Sequence, residues 1–467
     1  MVIMKYIVVG LCCFILSSCA TISDQAYHKI DCLNKETCSD VELDTYINPV
    51  TTMVIKNGLS AHKSDDASIE KGDKIDPTVF GSFYLEYNER GQKFEGDRQM
   101  AVIRRAIDTS DKPIYLVVYV HGWNNNADTT SVQKEFDTVT FPYLLARRSF
   151  QNPDMNIIGV YVGWRGAKYK YFPAKFLTPL DGARTADTIG SYGEVRGDLI
   201  ALAKRVEKST HSGYSLIIGH SFGGRLLSRA FMDDLADIES IDDWPLGSRS
   251  LLMCLNPAIS AKAFDKVFNK ADENKAGLQR PVWLNVTSKD DFTTRRLYPL
   301  ARFIGQNLST EPVSANQTHK TIGHYEPYLS YELIIAEKDK LSDKSHCSPN
   351  NDSWFEVPSR ESKHNNSNNN SHRTQANKAC SEALYLYGNK SITNGKQRSK
   401  MTELIALYEN PAREASHIWN IRMDESLLEQ GSAESVLRKG GHSADVRTVL
   451  GRMLDDMLFT PPEKPLD

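Results

Sequence analysis

The chain shows little imbalance of charge. Its 467 residues carry 56 Lys and Arg against 59 Asp and Glu, a formal charge of −3. Such a balance builds no basic field for nucleic acid, and that class of partner is excluded. The common metal and nucleotide motifs are missing as well. There is no H-E-x-x-H, no cysteine and histidine cluster and no G-x-x-x-x-G-K-[ST], so no metal or nucleotide cofactor is expected. No internal repeat stands out. The apolar run from Tyr6 to Leu16, behind Lys5, is too short to span a bilayer as a stable helix. It has the length and flanks of a signal-peptide h-region. With 40% hydrophobic and 25% charged residues, the composition is that of an ordinary globular protein.

The apolar run ends in Leu16-Ser17-Ser18-Cys19, which resembles a bacterial lipobox. The resemblance implies a signal peptide over 1–18, cleavage before Cys19, and acylation of the Cys19 thiol and its new amino group. Ala20 in the next position resembles the pattern sent on to the outer membrane. The implied product is an exported bacterial lipoprotein, anchored in the outer membrane and facing the periplasm. Several acyl chains would make that attachment stable where one would be marginal. The bland alternative is a plain secretory signal with a chance cysteine. Of the 8 cysteines, Cys12 and Cys13 leave with the signal, and Cys254 sits in the apolar run Leu251–Leu255 as an expected buried thiol. Cys32, Cys38, Cys347 and Cys380 can pair in an oxidising compartment. Cys32–Cys38 with Cys347–Cys380 is the simplest of the three connectivities.

Residues 19–77 read as a polar tether, and 78–467 as one domain. In that domain strands alternate with helices. Phe83–Tyr87, Ile114–Val120, Ile157–Val162, Ser215–Ile218, Ser250–Leu255 and Val282–Thr287 are short and apolar, several of them throughout. Such strands imply a mostly parallel sheet with helices on both faces, an α/β fold. A helix is expected near Asp97 to Ile107. Val195, Leu199, Leu202 and Val206 form one helical stripe, and Leu227, Phe231 and Leu235 another. Residues 343–398 are polar and Asn-rich and are expected as an insertion without a core, before a last strand at Ile418–Arg422. An amphipathic helix is expected from Ala444 to Leu458.

Gly219-His220-Ser221-Phe222-Gly223 matches G-x-S-x-G, between an apolar strand and an amphipathic helix. A nucleophile at such a corner needs an unfavourable backbone, and glycines on both sides remove clashing side chains. Without that context the motif would be only a turn. Upstream, the strand Ile114–Val120 runs into His121-Gly122-Trp123. Together these features resemble an α/β-hydrolase-fold serine hydrolase from about Phe80 onward. The resemblance implies Ser221 as nucleophile and an oxyanion hole from the backbone N–H of Phe222 with that of Gly122 or Trp123. His121 precedes the nucleophile and is expected to buttress its loop rather than act as base.

The acid is expected after the strand Val282–Thr287, where Asp290 is preferred and Asp291 is the alternative. For the base, elimination among the 12 histidines leaves His319, His324 and His442. His442, in "KGGHSADV" after the last strand, occupies the position that the family gives its base and is preferred. His324, in "TIGHYEPYLSYEL", a loop expected to lead into a helix, is the alternative. The loser is expected to be a structural histidine.

Fold and triad imply hydrolysis of a small-molecule or lipid carboxylic ester through an acyl-enzyme, without cofactors. A peptidase or acyltransferase would use the same residues. A lipid-anchored binding or scaffold protein on the same fold is the rival from another class. The aromatic and basic stretch Gly163–Leu177 is either a cap, a lipid-facing surface or acyl-pocket wall, or an amphipathic surface loop.

Overall fold

A computed structural model describes residues 25–32, 38–47, 79–123, 125–128, 132, 155–166, 179–273, 281–289, 291, 293–299, 320–336, 383–388, 404–409 and 417–423. Its centre is one sheet. In chain order the strands are β1 (Val79–Tyr87), β2 (Ile114–Val120), β3 (Asn156–Trp164), β4 (Tyr214–His220), β5 (Ser250–Leu255), β6 (Trp283–Ser288), β7 (Tyr331–Ala336), β8 (Ala383–Gly388), β9 (Leu404–Glu409) and β10 (Ile418–Met423). In space their order is β1-β3-β2-β4-β5-β6-β10-β7-β9-β8. Every neighbouring pair from β1 to β7 is parallel. The pairings of β9 with β7 and β8 are antiparallel.

The apolar strands follow from where they lie. β2, β3, β5 and β6 are buried along their whole length, as strands covered on both faces must be. The helices of the fold are α1 (Asp40–Ile47), α2 (Arg98–Asp108), α3 (Pro179–Tyr192), α4 (Val195–Lys208), α5 (Phe222–Asp237) and α6 (Asp265–Glu273). On α4 the stripe Val195, Leu199, Leu202 and Val206 is fully buried, facing β2 and β4. On α5, Leu227, Phe231 and Leu235 are likewise buried, and the helix packs on β4 and β5.

Three regions differ from the sequence expectation. The chain after His324 forms no helix: short 3-10 turns at Ile322–His324 and Glu326–Tyr328 lead into strand β7. The reason is tertiary. Asn420, buried on β10, donates through Nδ2 to the carbonyls of Ile322 and Tyr328 at 3.0 Å each, and the Ser330 N–H donates to Asn420 O. Partners supplied by another strand override a local helical preference. The insertion is not wholly without regular structure, since β8 falls in it and extends the sheet with β9. Its Asn-rich centre lies outside the described residues, as do Cys347, Cys380 and the expected helix at Ala444–Leu458.

The third difference concerns the tether. Residues 25–32 and 38–47 pack on the domain, with Ile30 and Leu43 joining the core and Cys32 bonded to Cys38. Glu86, fully buried on β1, holds this segment. It accepts hydrogen bonds from the backbone N–H of Tyr27 (2.8 Å) and His28 (2.7 Å). Arg165, just after β3, lies 3.9 Å from Glu86 and donates to Gln25 O at 2.5 Å.

Candidate active site

Because β1 through β7 run parallel, their carboxyl ends share one edge, where ligands of open α/β sheets bind. Ser221 stands there, between β4 and α5. Its backbone has φ 55° and ψ −113°, a conformation that non-glycine residues rarely adopt. The strain is held from several sides. Ser221 N donates to Leu255 O at 2.9 Å, and Ser221 O accepts from Ala258 N at 3.2 Å. The corner is also tight: a side chain on Gly223 would put its Cβ 2.1 Å from Val120 O. Strain that the surroundings over-determine is a mark of functional sites. Arg225, in the first turn of α5, pairs with Asp187 of α3 at 2.6 Å and donates to Ala258 O. It thereby ties the helix that follows Ser221 to the loop after β5.

The His-Gly loop after β2 lies directly against Ser221. A Cβ on Gly122 would stand 2.9 Å from the Ser221 Cβ, so only glycine lets the loop approach so closely. Phe222 is the first residue of α5, where backbone N–H groups have no partner within the helix. His121 is locked. Trp164 N donates to its Nε2 at 2.9 Å, which places the proton on Nδ1, and Nδ1 donates to Gly122 O at 2.8 Å. Its ring stacks on Tyr161 and Trp164. Burial lowers its pKa to about 4, so it is neutral at pH 7. With both ring nitrogens occupied, His121 shapes the loop and has no lone pair to offer Ser221.

A second cluster hangs beyond β6. Asp291 is fully buried. Its Oδ1 accepts from Thr293 N at 3.0 Å, and its Oδ2 from the Thr294 hydroxyl at 2.5 Å. Thr294 Oγ1 lies 3.1 Å from His324 Nε2. Burial lowers the His324 pKa to about 4, against the opposing charge of Asp291. Backbone pairing carries this turn toward Ser221: Ile322 N donates to Ile259 O, and Ala258, one residue earlier, donates to Ser221 O.

The structure therefore joins the two alternatives, Asp291 and His324, in one cluster. Asp290, His442 and Cys19 lie outside the described residues. Sequence reading missed Thr294, Arg225, Asp187 and Asn420. A polar residue three positions after a strand-end aspartate is a signal for the first, but the partners of the others are remote in sequence. The start of the aromatic and basic stretch, Gly163–Gly166, is buried rather than a surface loop. Among the described residues no group of three or more His, Cys, Asp and Glu side chains is placed to hold a metal, and no helix is long and apolar enough to cross a membrane. No protein-family model, characterised protein or solved structure matches the chain.

Proposed function

We propose that this chain is a serine hydrolase of the α/β-hydrolase fold that cleaves carboxylic esters. The observation that carries the reading is Ser221 itself, held at φ 55° on a strand-to-helix corner with a glycine loop against it. Ser221 is the nucleophile, His324 the base and Asp291 the acid. His324 takes the hydroxyl proton as Ser221 Oγ bonds to the ester carbonyl carbon. The backbone N–H groups of Phe222 and of Gly122 or Trp123 receive the oxyanion. The carbon–alkoxide bond then breaks, and the alcohol leaves with the proton from His324. Water then bonds to the acyl carbon as His324 takes its proton, the bond to Ser221 Oγ breaks as that proton passes to Oγ, and the carboxylic acid leaves. A fluorophosphonate probe is expected to label the wild-type protein and not Ser221→Ala. Equal labelling of both, or of neither, overturns the proposal and favours a non-catalytic scaffold.

The chain is further proposed to be an exported lipoprotein acylated at Cys19. Leu16-Ser17-Ser18-Cys19 supports this, and the Cys32–Cys38 disulfide fits an oxidising compartment. Cys19→Ser is expected to release the protein from membranes washed with carbonate. Retention of the variant refutes the anchor.

A further inference from the structure

Thr294 lies between Asp291 and His324 and is 1% exposed. The chemistry of its hydroxyl settles the direction of both contacts. A hydroxyl has one proton to donate and lone pairs to accept with. Asp291, as a carboxylate, only accepts, and the 2.5 Å contact to its Oδ2 is the length of a charge-assisted O–H···O⁻ bond. The Thr294 proton is thus committed to Asp291. The 3.1 Å contact with His324 must then run the other way, from Nε2–H to Thr294 Oγ1. The carboxylate cannot swing off this bond easily. Thr293 N holds its other oxygen, and the Asp291 backbone is itself fixed, its carbonyl accepting from Arg295 N at 2.9 Å at the entry to the π-helical turn Thr293–Leu297.

The geometry points to Thr294 as a positioning residue that relays Asp291 to His324, fixing the imidazole proton on Nε2 and leaving Nδ1 as the nitrogen that takes the Ser221 proton. This rests on the hydrolase reading of Ser221. During acylation the proton moves from Ser221 Oγ to Nδ1, and no proton moves through Thr294. Its hydroxyl stays bonded to Asp291, whose negative charge favours the imidazolium from across one oxygen. The arrangement is the reverse of His121, where the backbone of Trp164 puts the proton on Nδ1.

The test uses the full chain with ¹⁵N-labelled histidine, read by NMR at pH 7, beside steady-state hydrolysis of a p-nitrophenyl ester. In the wild type, His324 is expected as the Nε2–H tautomer. Thr294→Val, which keeps the shape and removes the hydroxyl, is expected to mix the tautomers and to lower kcat by about 10²-fold at unchanged KM. Thr294→Ser is expected to restore both. An Nδ1–H tautomer in the wild type overturns the relay, as does a Thr294→Val protein with wild-type tautomer and kcat. Should the valine variant fail to fold, the wild-type spectrum and the serine variant still decide. A wild-type Ser221 that resists fluorophosphonate overturns the hydrolase reading and the base role of Nδ1 with it, while the nitrogen spectra judge the tautomer separately.

Discussion

In the loop after β2, His121 is enclosed by Tyr161 and Trp164, with a backbone partner on each ring nitrogen. In the turn before β7, His324 is partly buried, and a side-chain hydroxyl meets its Nε2. Both stand beside a glycine at the carboxyl edge of the sheet, and burial brings both to a pKa of about 4. Titration alone therefore does not separate the locked His121 from His324, the proposed base. What separates them is who holds the ring. Backbone groups on both nitrogens of His121 leave nothing for chemistry. Contact through one nitrogen of His324, backed by a buried carboxylate, orients a ring that can still accept a proton.

The largest test of that contrast is the loss of the proposed base. Ser221 is a weak nucleophile without one, so His324→Ala is expected to cost on the order of 10³-fold or more in kcat. Its thermal melting is expected to shift little. His442→Ala, measured beside it, is expected to keep the wild-type rate. The opposite result would return the base to His442 and make His324 a structural residue bound to Thr294.

The next effect falls on stability. His121→Phe keeps an aromatic ring for Tyr161 and Trp164 to stack on, but strips Trp164 N and Gly122 O of their partners. Leaving such buried groups unpaired costs about 1–3 kcal/mol. Urea unfolding is expected to show that loss, with ester hydrolysis per folded molecule within about tenfold of wild type if the ring only supports its loop. A loss of activity as deep as that of His324→Ala would erase the distinction between the two residues.

Much of the frame was legible in the sequence because its signals are local. β2 and β5 have the expected ends, and the strand at Ser215–Ile218 is longer by one residue at its start and two at its end. The corner at Ser221 was legible for the same reason: glycine spacing, a buried strand and an amphipathic helix all lie within about twenty residues of one another. The partner turn was not. Nothing near Tyr325 says that Asn420, some hundred residues on, will cap the carbonyls of Ile322 and Tyr328 and turn an expected helix into 3-10 turns and a strand. The N-terminal segment misled in the same way, because the residue that binds it, Glu86, reads locally as one charge in an otherwise apolar strand. Polar residues that act through remote backbone carry little local signal.

The smallest effect is a slope in stability with pH, and it sharpens the comparison by treating both histidines alike. For His121 the folded pKa of about 4 lies below the ordinary 6.5. Between those values the unfolded chain binds a proton that the native state refuses. The contribution is therefore fully present above about pH 6.5 and is lost as pH falls toward about 4. From pH 7 to pH 6, His121 alone should cost roughly 0.7 kcal/mol of unfolding free energy. His324 acts in the same direction, since burial lowers its pKa too. Urea midpoints at pH 7 and pH 6 are expected to fall in the wild type, and to fall less in His121→Phe and in His324→Ala. Only one of the two should also shape the rate. The acid limb of kcat/KM is expected near pH 4, set by His324, and to keep its position in His121→Phe. A limb near the ordinary imidazole value, or one that moves with His121, would mean that the ring taking the Ser221 proton is not the buried His324.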